Sequence, residues 1–284
     1  MNEHDTKKER GTKNEHGAMS EHGMTSEHGA MSERDAMHER DAMHEHSAMH
    51  ERDTAIRAEL EGFIQTREFS CLGARAALKR QAITHRHYRR MGDEASAEEN
   101  HRDLVDYVDT VRPLLSAQSF RTFVATFDEP GTVDERTYEE LIWQHLQYMH
   151  DIDSRTYGLD AGASSDPGRP NFGFHTGGHA FFIVGMHPGS SRASRRFTTS
   201  AIAFNSLAQF MHLGENFYSM QGAIRRREAK NNGSVNPSFT EYEYEEPARH
   251  FSGRYTEEDW KCPYISRHEP ATEDFTEGLL QHKR

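Results

Sequence analysis

The chain has 284 residues, a formal net charge of −12 and a hydrophobic share of 34%, below the roughly 45–50% of globular domains. Its acidic balance excludes the domain-wide basic surface typical of nucleic-acid-binding proteins. No stretch approaches the roughly 18 apolar residues of a membrane span, and the N-terminus lacks the apolar core of a signal peptide. We therefore expect a soluble cytoplasmic protein whose partners include neither nucleic acid nor membrane.

The first 53 residues form a six-residue repeat, with units such as EHGAMS and ERDAMH. They contain no Leu, Ile, Val, Phe, Tyr or Trp, and a six-residue period does not place the glutamates on one helical face. Without large apolar side chains the segment cannot offset the entropy lost on ordering, which predicts a disordered tail. Eight of the twenty histidines lie there. An expanded repeat without a site is the favoured interpretation, and adventitious nickel or zinc binding is the alternative.

Beyond the repeat, apolar residues at helical spacing predict an ordered domain that begins near Thr54, a residue suited to an N-cap. Ser70 is expected to cap the next helix and to place Cys71 in its first turn. A strong amphipathic helix is predicted over residues 133–152. His145 lies on the apolar face of that helix and is interpreted as a core histidine rather than a ligand.

Short runs of apolar, aromatic and β-branched residues predict five strands, at 82–90, 119–127, 172–176, 180–187 and 198–205. Gly177-Gly178 suits the turn of a hairpin between the third and fourth of them. Helical segments separate the strands, so the predicted class is α+β: one domain with a mainly antiparallel sheet flanked by helices. The expected boundaries are a tail at 1–53, the domain at 54–264 and a C-terminal tail at 265–284.

The fourth strand ends in a corner that combines a histidine with a group of arginines. Pro188 stops further pairing because proline has no N–H to donate, which leaves His187 at the end of the strand. The arginines that follow within ten residues are Arg192, Arg195 and Arg196. Neutral imidazole is the usual proximal ligand of heme iron, and guanidinium groups suit heme propionates. Spacing alone favours a simpler interpretation, a capped strand end with surface arginines.

Three other side chains compete with His187 as a metal ligand. His175 and His179 flank the turn, and the strand period of two could place His179 on the same face as His187. Cys262 would supply a thiolate, which favours O–O cleavage, but it precedes proline in an irregular late segment. The only other cysteine is Cys71, so no disulfide framework is indicated, and Walker, GxGxxG, GxSxG and HExxH motifs are absent.

Several blocks of sequence, in one order, resemble a known family. They are Phe69-Ser70-Cys71 with its helix, GHAFFIVGMHP, SSRASRRF, AIAFNSLAQF, IRRREAKNNGSVNP and ARHFSGRYTEEDWKCPY. From about Arg67 to Tyr264 the chain resembles the YqcI/YcgG family, often described by FPC and CPF motifs. That family includes heme-dependent N-hydroxylases of guanitoxin and cycloserine biosynthesis. Ser70 stands where the family usually has proline, and Tyr264 where it usually has phenylalanine.

The resemblance implies a heme b enzyme that uses dioxygen with an electron donor, or peroxide, to hydroxylate a guanidine nitrogen. The substrate expected first is L-arginine, converted to Nω-hydroxy-L-arginine. His187 is then the axial iron ligand, and Arg249 and Arg254 are partners of a propionate or a substrate carboxylate. The sequence does not choose the carboxylate that would pair with the guanidinium group; the candidates are Glu243, Glu245, Glu246, Asp128, Glu129 and Glu215. The arginines expected to bind the heme itself are Arg192, Arg195, Arg196 and Arg225.

Two other classes of function stay open on the sequence. The first is a heme-binding or heme-sensing protein without hydroxylase activity, since a shared fold does not fix the chemistry. The second is an interaction protein that acts through its histidine-rich tail. The sequence identifies no catalytic acid or base and no oligomeric state, for which a homodimer is one option.

Overall fold

The computed structural model describes residues 51–114, 120–211, 215–235 and 246–268. By its internal contacts the chain divides into Met1–Glu45 and His46–Arg284, and every described element lies in the second unit. Residues 1–50 of the predicted repeat tail lie outside the described residues. Among the described helices, none is long and apolar enough to cross a membrane.

The described elements alternate between helices and strands. The helices are α1 (51–65), α2 (Leu72–Lys79), α3 (Glu94–Val111), α4 (Glu135–Asp153), α5 (Leu207–Met211) and α6 (Glu215–Asn232). The strands are β1 (Ile83–Arg90), β2 (Thr122–Glu129), β3 (Phe174–Thr176), β4 (His179–Met186) and β5 (Ser200–Ser206). Short 3₁₀ turns occupy Arg112–Leu114, Ala193–Arg195 and Pro247–His250. All five predicted strands are present, with bounds that differ by at most a few residues.

The strands form one sheet in the order β1-β2-β5-β4-β3. β2, β5, β4 and β3 pair antiparallel, whereas β1 and β2 run parallel. A parallel pair needs a crossover of a dozen or more residues, and α3 supplies it. The predicted α+β domain with a mainly antiparallel sheet is confirmed.

Successive side chains of each strand point to opposite faces of the sheet, and an apolar cluster covers each face. In β2, Phe123 and Phe127 pack with α3 and α4 in one apolar cluster. Val124, between them, packs in a second cluster with Ile56 and Leu60 of α1. Each such side chain contributes roughly 2 kcal/mol when it is fully buried, so the two clusters hold the helices to the sheet.

The hairpin between β3 and β4 turns at Gly177-Gly178, as the sequence predicts. Thr176 pairs directly with His179, which leaves a two-residue turn, and the two glycines have φ angles of +60° and +66°. Positive φ at both central positions defines the turn type that matches the twist of a hairpin, and glycine adopts it without strain.

Two expected helix starts are wrong by a few residues. Thr54 lies inside α1, because residues 51–53 are already helical. Cys71 rather than Ser70 is the N-cap of α2, and its Sγ accepts a hydrogen bond from the Ala74 N–H at 3.5 Å. Ser70 is almost completely buried, and its hydroxyl donates to the Glu68 carbonyl at 3.4 Å instead of accepting from an N–H of the helix.

His145 is confirmed as a satisfied core histidine. It is fully buried in α4, its Nε2 lies 3.1 Å from Asn100 Oδ1, and the Gly92 N–H donates to its Nδ1 at 3.3 Å. Because Nδ1 accepts, the ring proton resides on Nε2 and is donated to Asn100. Both nitrogens of the ring are therefore paired.

Candidate functional site

His187 lies immediately after β4 and is buried against α4. Its ring stacks on the ring of Tyr138, with centroids 4.1 Å apart and planes 9° from parallel. Its backbone N–H donates to the Arg195 carbonyl at 2.9 Å and closes the loop that follows. Burial lowers the pKa of the imidazole, and its Nδ1 has no hydrogen-bond partner. A neutral imidazole with an unpaired nitrogen meets the first requirement of a metal ligand.

Two contacts fix the corner at His187. The Tyr138 hydroxyl donates to the Ala201 carbonyl at 2.7 Å and accepts from the Met186 N–H at 3.0 Å, which joins α4 to β4 and β5. Gly189 passes so close to the segment before α4 that a Cβ atom would lie 2.0 Å from the Val133 carbonyl oxygen. Only glycine fits there, so the path of the chain after the histidine is set by packing.

Arg195 fastens the corner to the C-terminal segment. Its guanidinium group donates to the Gly185 carbonyl at 2.9 Å and to the His250 carbonyl at 3.2 Å. It also packs against Gly253, where an added Cβ would lie 3.2 Å from Nη1. Burial lowers the pKa of this guanidinium group. Its donors are directed at backbone carbonyls, so Arg195 serves as a clamp between β4 and residues 246–268.

Arg192 and Arg196 lie at an open cleft of about 430 Å³ on the other side of the same loop. Arg192 donates to the Ser234 carbonyl at 2.9 Å, and Arg196 donates to two backbone carbonyls of its own loop. The cleft is lined by Ser191, Arg192, Ala193, Arg196, Asn231, Asn232 and Ser234. Arg225 is half-buried in α6 and does not line this cleft. Glu245 lies outside the described residues.

Arg249 and Arg254 are engaged in the packing of the C-terminal segment. Arg254 is nearly fully buried and donates Nε and Nη2 to Glu139 Oε2 at 2.9 and 2.6 Å. Arg249 lies over the Trp260 ring, 5.3 Å from its centroid, and donates to the Trp260 carbonyl at 3.0 Å. Buried ion pairs of this kind are strongly coupled, because removal of one partner leaves the other charge uncompensated. Neither arginine faces the 430 Å³ cleft.

His179 and Cys262 are poor ligands in this arrangement. His179 Nε2 lies 2.8 Å from the Ser206 hydroxyl, and its Nδ1 lies 3.5 Å from Asp160 Oδ2. Both nitrogens therefore have polar neighbours. Burial raises the pKa of the Cys262 thiol to about 12, so the thiolate that binds metal is disfavoured.

His175 differs from every other predicted ligand. It is fully buried in β3, and neither of its ring nitrogens makes a hydrogen bond of normal geometry, although the Gly173 backbone lies close enough to favour the protonated ring. Burial lowers its pKa to about 4, so the ring is neutral at pH 7. Because the great majority of buried polar groups are paired, an imidazole with two unpaired nitrogens suggests that a partner is absent.

Further unpaired polar atoms lie near this ring, in a cluster of buried side chains that we call the histidine pocket. Besides His175, the pocket includes His150 and Asp153 of α4 and Tyr264 and His268 of the C-terminal segment. His150 Nδ1, Asp153 Oδ2, the Tyr264 hydroxyl and His268 Nε2 are all buried without a hydrogen-bond partner. The His150 ring lies 4.9 Å from the Tyr264 ring and 5.3 Å from the His268 ring, between centroids.

One side of the histidine pocket is tied to the fold. Asp153 Oδ1 lies 2.8 Å from His101 Nε2 and accepts from the Gly177 N–H at 2.8 Å, which anchors the hairpin turn. His150 Nε2 accepts from the Arg267 N–H at 2.8 Å. Burial lowers the pKa of His150 to about 4. The pocket thus presents neutral imidazoles beside a carboxylate.

Sequence reasoning missed His150, Asp153, Tyr264 and His268 as members of a site. The first two lie three residues apart at the end of α4, which places them on neighbouring positions of one helical face. The other two belong to a segment without periodicity. Only His175 was among the predicted ligands, and it was ranked after His187.

These features define an α+β domain with buried, unpaired histidine nitrogens on and beside its sheet. The chain belongs to the YqcI/YcgG family, whose model matches residues 60–265. No curated protein and no solved structure gives a significant match. The family match covers β1 to β5 and most of the histidine pocket, and it excludes the repeat and His268.

The family resemblance implies a heme, which needs an axial ligand for its iron and cations for its propionates. Within the described residues, no three His, Cys, Asp or Glu side chains are arranged to hold a metal ion. Heme iron differs from a bare ion because the macrocycle supplies most of the ligands and the protein supplies an axial one. An unpaired nitrogen on His175 or His187 fits that role. Arg192 and Arg196 fit as cations at a cleft, whereas Arg195, Arg249 and Arg254 are engaged elsewhere.

Proposed function

We propose that this chain is a heme-dependent N-hydroxylase of a guanidine compound, with L-arginine or a related guanidino acid as the substrate. Membership of the YqcI/YcgG family over residues 60–265 supports the proposal. The observation that carries it is the fully buried ring of His175, which makes no hydrogen bond of normal geometry through either nitrogen. A ligand that binds through this ring would compensate for the unpaired atoms.

In this proposal a neutral, buried imidazole binds the iron. His175 is the first choice, since both of its nitrogens are unpaired, and His187 is the second, since its ring is packed flat on Tyr138. Burial lowers the pKa of both rings, so protons do not compete with the metal at pH 7. His179 is the weakest of the three because Ser206 and Asp160 neighbour its nitrogens.

A bound heme would supply the activation of dioxygen, with electrons from a donor, or of peroxide. The chain itself would bind and orient the substrate. Asp153 has an unpaired Oδ2 beside the histidines, and a carboxylate is the usual acceptor for the N–H groups of a guanidinium. If His187 is the ligand instead, Arg192 and Arg196, which line the open cleft after the strand corner, would suit a carboxylate of the cofactor or of the substrate.

Tyr264 gives the histidine pocket a hydrogen-bond donor and an apolar wall. Burial raises the pKa of its hydroxyl, so it stays a neutral phenol. The hydroxyl has no partner and can donate one hydrogen bond to a bound molecule. The rings of Phe172 and Phe174 lie 5.7 and 6.2 Å from the Tyr264 ring, between centroids, and exclude water from that side.

Heme reconstitution followed by a substrate screen tests the proposal. The full-length chain is mixed with hemin, and we expect a Soret band that the His175→Ala variant loses. His179→Ala is the matched control, a histidine on the other arm of the hairpin, and it should keep the band. With L-arginine, a reductant and oxygen-18 gas, mass spectrometry should detect a product that contains one labelled oxygen atom.

Each failure has a distinct meaning. A wild-type chain that shows no Soret band would end every heme interpretation. A loaded protein that gives no labelled product across a set of guanidines would favour a heme-binding protein without hydroxylase activity. A band lost in His187→Ala but kept in His175→Ala would move the ligand to the strand corner. Loss of activity on deletion of residues 1–50 would favour a function for the repeat.

A further inference from the structure

Two arginines from different helices meet at the loop between α1 and α2. Arg75 Nη2, from α2, donates to the Phe69 carbonyl at 3.3 Å, and Arg227 Nη2, from α6, donates to the same oxygen at 3.0 Å. The two Nη2 atoms can therefore be no further apart than the sum of these distances. Arg75 Nη2 also donates to the Thr66 carbonyl. Two positive charges thus lie side by side at this loop.

Packing holds the shared carbonyl in place. The Phe69 side chain is buried, and its ring centroid lies 5.2 Å from that of Phe63, which in turn lies 5.4 Å from that of Phe197. All three rings belong to the apolar cluster that α1 forms with the sheet. Asn231 of α6 donates to the neighbouring Glu68 carbonyl at 2.8 Å. The fold itself therefore brings the two guanidinium groups together.

No described carboxylate compensates this pair of charges. Among the residues that the structure describes, neither Arg75 nor Arg227 forms an ion pair. Glu228 follows Arg227 in sequence, but it accepts from Asn232 at 2.9 Å and from the Ser194 hydroxyl. Burial lowers the pKa of the Arg75 guanidinium group, and the charge of Arg227 lowers it further. Like charges at this range repel each other, and an anion between them relieves the repulsion.

Both guanidinium groups also keep unused hydrogen-bond donors. A guanidinium has five N–H groups, and the described contacts of Arg75 and Arg227 use only those on Nη2. The Nε atoms of both side chains are buried without a hydrogen-bond partner. Because the great majority of buried polar groups are paired, two adjacent unpaired Nε groups point to an acceptor that both arginines share.

An open cleft of about 500 Å³ borders Arg75. Its described lining residues are Gln65, Arg75, Leu78 and Lys79, and none of them is acidic. Lys79 follows Arg75 by four residues in α2, so the two cations lie on one face of the helix. Leu78 adds apolar surface between polar groups. The volume falls within the roughly 300–1,000 Å³ of small-molecule sites.

We propose that Arg75 and Arg227 bind the phosphate group of a small molecule, with Lys79 as a further cation. Guanidinium groups bind phosphate oxygens through paired N–H donors, and a phosphate group carries close to two negative charges at pH 7. A carboxylate has one charge and would leave one arginine uncompensated. The same chemistry accepts free phosphate or an organic phosphate, whose remaining part would contact Leu78. The site shares no residue with the histidine pocket and does not depend on heme.

Calorimetric titration of the full-length chain with inorganic phosphate and with AMP, at constant ionic strength, tests the site. We expect one phosphate per chain, with affinity at least about tenfold lower in Arg75→Gln and in Arg227→Gln, because each loses hydrogen bonds to a charged group. Arg226→Gln is the matched control, since it removes the same charge from an exposed neighbour in α6, and its affinity should stay within about twofold. Tighter binding of AMP would identify an organic phosphate as the ligand, and equal affinities would identify free phosphate.

Protection of the wild-type chain from an arginine-modifying reagent keeps the test valid if a variant fails to fold. We expect phosphate to slow the reaction of phenylglyoxal with Arg75 and Arg227, mapped by mass spectrometry, and to leave Arg226 unchanged. A wild-type chain that shows neither saturable binding nor protection would overturn the proposal. Loss of phosphate binding in Arg192→Gln but not in Arg75→Gln would also overturn it, because the anion would then occupy the 430 Å³ cleft.

Discussion

Replacement of His145 by glutamine would measure how strongly a buried neutral histidine limits the acid stability of this domain. Burial lowers the pKa of His145 from 6.5 to about 3. Between these values the unfolded chain binds a proton at this position that the folded chain does not, so the free energy of unfolding falls as the pH falls. A pH of about 4 lies roughly 2.5 units below the pKa of this histidine in the unfolded chain. At that pH, protonation of the unfolded chain lowers the free energy of unfolding by about 3 kcal/mol.

Glutamine keeps the polar contacts and removes the titration. Its amide nitrogen can donate to Asn100 Oδ1, and its carbonyl can accept from the Gly92 N–H, as the two nitrogens of His145 do now. Between about pH 6 and pH 4, the free energy of unfolding should depend less steeply on pH in the variant than in the wild type. We expect the two slopes to differ by about 1.4 kcal/mol per pH unit. Urea titrations measure this slope, and an equal m-value in both proteins shows that unfolding exposes the same surface.

Equal slopes in the two proteins would refute the reasoning, since they would mean that folding does not change the protonation of His145. A residual slope is expected in both proteins, because burial also lowers the pKa of other histidines to about 4. These histidines are His85, His150 and His175. Only the difference between the slopes therefore reports on His145.

Three further substitutions test the packing around the sheet, each by urea unfolding. Gly189→Ala should destabilise the protein by about 3 kcal/mol, because its Cβ would meet the Val133 carbonyl oxygen. A loss below about 1 kcal/mol would mean that the backbone after His187 can shift to make room for the methyl group. Arg254→Met should lower the free energy of unfolding by about 4 kcal/mol, and the double variant with Glu139→Gln should lower it clearly less. If the losses of the two single variants add up in the double variant, the two charges are not coupled. Gly178→Ala should cost about 1 kcal/mol through its positive φ alone, and Gly178→Asn should cost less.

The parts of the fold that were predictable are those specified by neighbouring residues. Alternation and β-branched content located all five strands, and Gly177-Gly178 located the turn, because a two-residue turn with positive φ at both positions selects glycine locally. The N-cap of α2 was missed for a tertiary reason. Ser70 is the better capping residue by preference, but burial of its side chain leaves the role to Cys71.

The candidate site was predictable only in part, because it depends on contacts between distant segments. The spacing of the arginines after His187 suggests an anion site, yet the fold directs Arg195 at backbone carbonyls from β4 and from the C-terminal segment. The histidine pocket combines α4, β3 and the C-terminal segment, and its outer members His150 and His268 lie 118 residues apart (268 − 150). Neither composition nor periodicity brings His150, Asp153 and His268 to His175.

Two of the fully buried histidines, His145 and His175, give opposite predictions for the same change, and the contrast distinguishes a structural ring from a ligand site. Leucine at His145 leaves the Gly92 N–H and Asn100 Oδ1 without their hydrogen-bond partner, so we expect a loss of about 3 kcal/mol. Leucine at His175 removes two polar atoms that have no partner, so the ligand-free protein should gain about 1 kcal/mol. Urea unfolding of both variants in the absence of heme decides between these outcomes. Natural proteins keep such a destabilising group where a ligand needs it, and comparable losses in both variants would refute the assignment of His175 to a binding site.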